Sequence, residues 1–221
     1  MNRTLKAILL SAGLCSLPSL SFSATVYDNT TTDLGQQYSP TPPTLEFGDQ
    51  ITLDPLTAGM RTLSRIDFYA SLNNAPSASV QSVILRLYAN TGVNNSPDTT
   101  PFYTSELIPL ANGSQTYGLV PPSGSIFTLP ETFTWTVQFS NLGAGETGGL
   151  LLYGPPTTGT SFNDFWQKDG AGAWSTQVAP GLAFNDFAAR VTAVPEPGVL
   201  VLGGLGALLL IGLKRFRKGP R

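Results

Sequence analysis

An all-β fold, an antiparallel β-sandwich of jelly-roll-like type, is predicted for the middle of this 221-residue chain. Three observations predict it. Apolar and polar residues alternate with a period of two over several short stretches, turn-rich clusters separate those stretches, and no part of the body sustains a helical period. Glycine (23) and proline (18) are abundant enough for frequent turns, and 41% hydrophobic residues can still build a core. The organisation expected is a signal peptide at residues 1–24, a sandwich body at 25–193 and a C-terminal segment at 194–221.

The N-terminal stretch reads as a secretory signal. Arg3 and Lys6 form a basic start, residues 7–14 an apolar run, and Pro18 a helix breaker. Ser21 and Ser23 are small residues at the positions a peptidase reads for a cut after Ser23. Cys15, the single cysteine, lies in this run behind Leu14, where lipidation would need a small residue. It is read as a small hydrophobe.

Within the body, Thr132–Ser140 is the clearest strand. Phe133, Trp135, Val137 and Phe139 share one face; Thr134, Thr136, Gln138 and Ser140 share the other, expected to be solvated. Residues 63–72 place Ile66, Phe68, Ala70 and Leu72 opposite Arg65, Asp67, Tyr69 and Ser71. Val83, Leu85 and Leu87 oppose Ile84, Arg86 and Tyr88. Further strands are expected at Glu46–Thr52, 103–110, 126–129, 150–153, 162–167 and 184–192. Clusters such as Ser39-Pro40-Thr41-Pro42-Pro43 and residues 90–97, 121–124, 143–149 and 154–159 mark the turns.

The C-terminal segment has no polar side chain from 199 to 213, followed by Lys214, Arg215, Arg217 and Lys218. Fifteen helical residues span about 22 Å at ~1.5 Å each, short of a bilayer core of about 30 Å. Extending the helix to about 197–215 closes the gap, with proline at its first turn and lysine and arginine stems reaching the interface. The basic cluster is expected to stay in the cytoplasm and the body to face outward.

Immediately before that helix stands Val194-Pro195-Glu196-Pro197. A Pro-Glu-Pro motif, an apolar helix and a short basic tail, in that order, resemble the PEP-CTERM sorting signal. The resemblance implies an exosortase as processing partner and anchorage in the inner membrane before processing. It also implies a final place at the cell surface or in an extracellular matrix, in association with exopolysaccharide or biofilm. The sorting motif is then Pro195, Glu196 and Pro197, held extended and accessible by the two prolines. The body segments Val26-Tyr27-Asp28-Asn29, Thr132-Phe133-Thr134-Trp135-Thr136-Val137 and Phe187-Ala188-Ala189-Arg190-Val191-Thr192 are similar to domains that accompany this signal, which carry no assigned activity.

Composition narrows the chemistry. The body holds five basic and thirteen acidic residues, a balance of −8, which does not suit nucleic acid as a partner. The chain has no histidine, so triad hydrolysis and histidine-based zinc sites are set aside. No enzymatic activity and no cofactor are expected. A carboxylate-based glycoside hydrolase is the weaker alternative, drawing on Glu106, Glu131, Glu146, Asp164, Asp169 or Asp186. A structural calcium has two candidate clusters: Asp28, Asn29 and Asp33, and Asn163, Asp164 and Asp169 with Gly170.

A short repeat, Phe162-Asn163-Asp164-Phe165 and Phe184-Asn185-Asp186-Phe187, is read as two strand starts with core phenylalanines and capping Asn-Asp turns. Trp166 and Trp174 flank the loop 167–172 and are the candidate carbohydrate-binding residues. Two readings stand: a structural matrix protein, and a carbohydrate-binding module for exopolysaccharide whose two rings form an open platform.

Overall fold

Period-two alternation becomes two antiparallel sheets whose apolar faces meet. The computed structural model describes residues 22–57, 59–74, 80–179, 181 and 184–196. Of these, Ser23–Glu196 form one compact unit. In chain order the strands are β1 (Ala24–Asp28), β2 (Asp33–Tyr38), β3 (Glu46–Thr52), β4 (Met60–Asn73), β5 (Ser82–Ala89), β6 (Tyr103–Thr104), β7 (Ile108–Pro109) and β8 (Gly113–Leu119). They continue with β9 (Thr132–Ser140), β10 (Thr147–Tyr153), β11 (Thr160–Ser161), β12 (Phe165–Lys168), β13 (Trp174–Gln177), β14 (Asp186–Phe187) and β15 (Ala189–Pro195). Two single 3-10 turns, Pro55–Thr57 and Val93–Asn95, are the helical content of the described residues.

One sheet runs β1-β15-β4-β10-β14, with β2 added to β10 and β8 to β4. The other runs β13-β12-β3-β9-β5-β6, with β11 on β3 and β7 on β5. Inward-facing Phe47, Leu85, Leu87, Phe133, Trp135, Val137 and Phe139 of the second sheet share one core with Val26, Ile66, Phe68, Leu150, Leu152, Phe187 and Val191 of the first. Rings cross the interface: the Trp135 centroid lies 6.2 Å from Phe68 and 6.4 Å from Phe187, and Phe47 lies 5.6 Å from Phe187. This burial of aromatic area is what holds the sheets face to face.

The structure redraws several expected elements. The stretch 103–110 is two short strands, because the Ser105 hydroxyl replaces a backbone acceptor: Leu85 N donates to Ser105 Oγ at 2.9 Å. Residues 126–129 make an isolated bridge, Thr62 to Thr128, in place of a strand. Strands β2 and β8 were invisible to periodicity because both are polar and mostly exposed. β8 is held by its ladder to β4, from Ile66–Leu119 to Leu72–Gly113, so backbone pairing decides it.

One expectation fails for a physical reason that matters below. Thr134 and Thr136, placed on a solvated face, are 0% exposed. Side chains from β3, β5, β12 and β13 cover them.

The sandwich begins at Ala24, which pairs with Ala193, and runs on to Pro195, which pairs with Met60. Glu196 N donates to Gly59 O at 3.2 Å. Pro195 and Glu196 are half-buried at the end of β15, beyond the reach of β1, where a proline costs no ladder bond on that side. Pro197, the expected signal peptide up to residue 21 and the expected membrane helix lie outside the described residues. Among the described residues no helix is long and apolar enough to cross a membrane.

Candidate functional site

The hairpin β12–β13 carries both candidate tryptophans on the outer face of the second sheet. Its register pairs Trp166 with Thr176 and Lys168 with Trp174, so these four share one face while Phe165 points into the core. The turn is tied by Asp169, whose Oδ1 accepts from Ala171 N at 2.9 Å and Ala173 N at 2.8 Å. Gly172 adopts φ +93° there.

The two rings play different parts. Trp166 is 8% exposed, and its indole N–H donates to Gln50 Oε1 at 3.0 Å. Across the ladder it faces Gly48, at which a Cβ would come within 2.0 Å of the Trp135 carbonyl on β9. Glycine is required there by the close approach of β3 and β9, and the broad indole covers the gap. Trp174 is half-buried, with its N–H donating to Asp98 O at 3.2 Å. Its ring meets Tyr88 edge-on at 5.2 Å and takes the Lys168 ammonium 5.0 Å from its centroid.

Beneath these rings lies a buried polar layer. Glu46 Oε1 accepts from the Tyr88 hydroxyl and the Thr136 hydroxyl, each at 2.7 Å. Its Oε2 pairs with Arg86 at 3.1 Å and Lys168 at 3.9 Å. Burial first, and then the neighbouring Glu46 carboxylate, push the Tyr88 hydroxyl well above the usual phenol range, so it stays a donor. Asn90 donates to Gln50 Oε1 at 3.1 Å and to Thr134 Oγ1 at 2.9 Å. This network leaves Thr134 and Thr136 dry.

A groove of about 630 Å³ opens beside it, lined by both tryptophans, Gln50, Asn94, Asn95 and Asp164 among others. Phe162, 51% exposed, and Val93, 83% exposed, stand at its margin. Asn94 and Asn95 sit at φ +57° and +58°, a left-handed pair that asparagine tolerates better than most residues. A second depression, which includes Asp98, Thr99 and Thr100, shares Val93, Ser96 and Trp174 with the first. Trp174 is thus a wall common to both.

The remaining candidates are dispersed. Asp28 is held by Arg190 at 3.0 Å and by the Thr30 hydroxyl at 2.6 Å; Asp33 caps Gly35 N at 2.8 Å. Asn29 donates to Phe187 O at 3.3 Å. Asp169 with Gly170 sits at the opposite end of β12 from Asn163 and Asp164. Among the described residues no three acidic, histidine or cysteine side chains gather in a way that could hold a metal. Glu106 and Glu131 are exposed, and Glu146 is buried, accepting from Gly143 N and Gln81.

The Phe-Asn-Asp-Phe repeat pairs with itself. Asn163 Oδ1 accepts from Asn185 N at 2.7 Å, and the Phe165 and Phe187 rings lie 5.2 Å apart in the core. Nearby, and missed in the sequence, Asp49 points inward from β3. Its Oδ2 accepts from the Ser161 hydroxyl at 2.9 Å and Phe187 N at 3.2 Å. Its Oδ1, the Tyr27 hydroxyl and Asp186 Oδ1 are buried with no hydrogen-bond partner among the described residues. Burial, and then the Asp186 carboxylate, push Asp49 well above the usual carboxylate range, against the bonds from Ser161 and Phe187. Burial carries Asp186 up to about 6, with Ser161 opposing and Asp164 adding to the rise.

Glu46, Gln50, Tyr88, Arg86, Asn90 and Lys168 also escaped the sequence reading. The signal available was weak: Glu46, Gln50, Arg86 and Tyr88 are hydrogen-bonding residues on two expected strands, while Asn90 and Lys168 fall in an expected turn and loop. Comparison with known protein families, characterised proteins and solved structures finds no match.

Proposed function

We propose that this chain is an exported surface or matrix protein whose jelly-roll-like sandwich binds a polysaccharide in the groove beside Trp174, without cleaving it. The observation that carries the binding reading is the groove itself. It combines a half-open indole with asparagine, glutamine, serine and threonine side chains, the mixture that stacks on sugar rings and bonds their hydroxyls. Its floor is rigid, because Trp166 and Gln50 are locked to each other and to Asn90. A floor already ordered loses little side-chain entropy on binding. In this reading Trp166 is a support and Trp174 the contact ring.

Delivery is the second part of the proposal. A basic and apolar start, together with Pro195-Glu196-Pro197, an apolar stretch and a basic end, supports sorting by an exosortase through the inner membrane. The polysaccharide is then the matrix in which the protein comes to rest.

The test is a glycan-binding screen with the full chain held in mild detergent. Trp174→Ala is expected to weaken binding by about 1–2 kcal/mol, the order of an aromatic contact. A bound glycan should shield Trp174 from acrylamide while Trp135 and Trp166 stay unquenched throughout. Binding that survives Trp174→Ala unchanged would overturn the groove as the site. For delivery, intact-mass analysis of surface protein should show both ends removed; a mass ending at Arg221 would overturn sorting.

A further inference from the structure

The groove has a charge that its aromatic lining does not require. No lysine or arginine among the described residues lines either depression, and each contributes one carboxylate, Asp164 in the first and Asp98 in the second. The described ion pairs join Arg65 to Asp67, Arg86 and Lys168 to Glu46, and Arg190 to Asp28. Asp164 and Asp98 are in none of them. Asp98 Oδ1 accepts from the backbone N–H and hydroxyl of Thr91, which aims the group without neutralising it. Asp164 is half-buried and accepts no hydrogen bond from any described residue. Partial desolvation pushes its carboxyl above the usual range, the direction expected of a charge that has lost water and found no counter-charge. Trp174 stands between the two depressions, and its ring already takes one ammonium, that of Lys168.

We propose that the groove selects an amine-bearing polysaccharide, a polymer with free, protonated amino sugars, over neutral and uronic acid polymers. This rests on the carbohydrate reading above. Sugar rings stack against Trp174, and the ammonium groups on neighbouring sugars meet Asp164 and Asp98. A partly dry carboxylate without a protein cation gains most from a ligand that brings one. The body's balance of −8 adds a field that draws cations and turns polyanions away. An acidic groove would thus read the degree of acetylation of an amino-sugar chain.

The experiment compares three probes on the full chain in detergent: chitosan oligomers, the same oligomers fully N-acetylated, and alginate oligomers. Chitosan is expected to bind roughly tenfold tighter than its acetylated counterpart. The gap should close at high salt, as exposed charges are screened. Asp164→Asn should bring chitosan affinity down to that of the acetylated oligomer. Glu106→Gln, which removes an exposed carboxylate outside the groove, should change neither. Equal binding of the two amino-sugar oligomers, preference for alginate, or an equal loss in Glu106→Gln each overturns amine selection while leaving polysaccharide binding standing. Failure of all three probes, with no hit in the glycan screen, overturns the carbohydrate reading itself.

Discussion

Both faces of the second sheet hold a dry centre, and the two centres are dry for different reasons. On the inner face Phe47, Phe133, Trp135, Val137 and Phe139 are excluded from water by other apolar groups, and dispersion and area burial do the work. On the outer face Thr134, Thr136, Glu46 and Tyr88 are excluded by Trp166, Trp174 and the stem of Lys168, and almost every polar atom has a partner. The inner face is sensitive to lost volume, because a void forfeits packing contacts. The outer face is sensitive to a missing partner, because an orphaned charge in a dry layer is costly. Alternation therefore tells which face of a strand is apolar. It does not tell which face is wet.

The largest effect expected is on the inner face. Trp135→Ala should cost about 3–5 kcal/mol of folding stability, read from denaturant melts, because a large void opens among packed rings. Trp135→Phe should cost far less, since the indole nitrogen it removes has no partner among the described residues. If the two variants lose equal stability, the inner face depends on the indole nitrogen and the contrast fails.

On the outer face Glu46→Ala should cost about 2–4 kcal/mol, because Arg86 and Lys168 would face each other without their shared carboxylate. Both cations keep some access to solvent, which holds the figure below that of a fully buried pair. Glu46→Gln keeps an acceptor for Tyr88 and Thr136 and should lose about half as much. A melt of Glu46→Ala within experimental error of wild type would show that the outer layer is hydrated.

Between the two faces, Gly48→Ala probes their shared backbone. A Cβ there meets the Trp135 carbonyl, so the strands must part, at a cost of about 1–3 kcal/mol. The loss should carry over to Trp166, seen as red-shifted emission relative to wild type.

The smallest effect is a pH dependence. Asp186 has a folded value near 6, raised from an ordinary 3.8, and so keeps its proton longer in the fold than in the unfolded chain. The stability linked to that proton is fully present below about pH 4 and is lost as pH rises through about 6. Asp186→Asn should remove this decline, so that its melting temperature gains on wild type between those pH values. Parallel curves for the two proteins would place the titration elsewhere.

Much of the fold is legible in the order of the residues. Glu46–Thr52 and Thr132–Ser140 were read with their limits, and the inward sets of β4, β5 and β9 are the buried core. Short-range alternation suffices there because one face of each strand is strongly apolar. Strands β2 and β8 were not legible, since a polar edge is shaped by its partner's backbone. Trp166 and Trp174 were singled out together, and the groove does contain both. Their division into a buried support and a half-open wall depends on Gln50 and Asp98, residues 116 and 76 positions away.

By itself the sequence determined the all-β class, the faces that meet in the core, the acidic balance of the body and the absence of histidine chemistry, because each follows from residue type and local spacing. Only the tertiary structure decided that the outer face of the second sheet also has a dry centre, that Glu46 anchors it, and that Asp49 and Asp186 lie inside. The physical reason is that burial of a polar side chain depends on what another strand lays over it. That is set by the register of chains far apart in sequence, and alternation within one strand carries no trace of it.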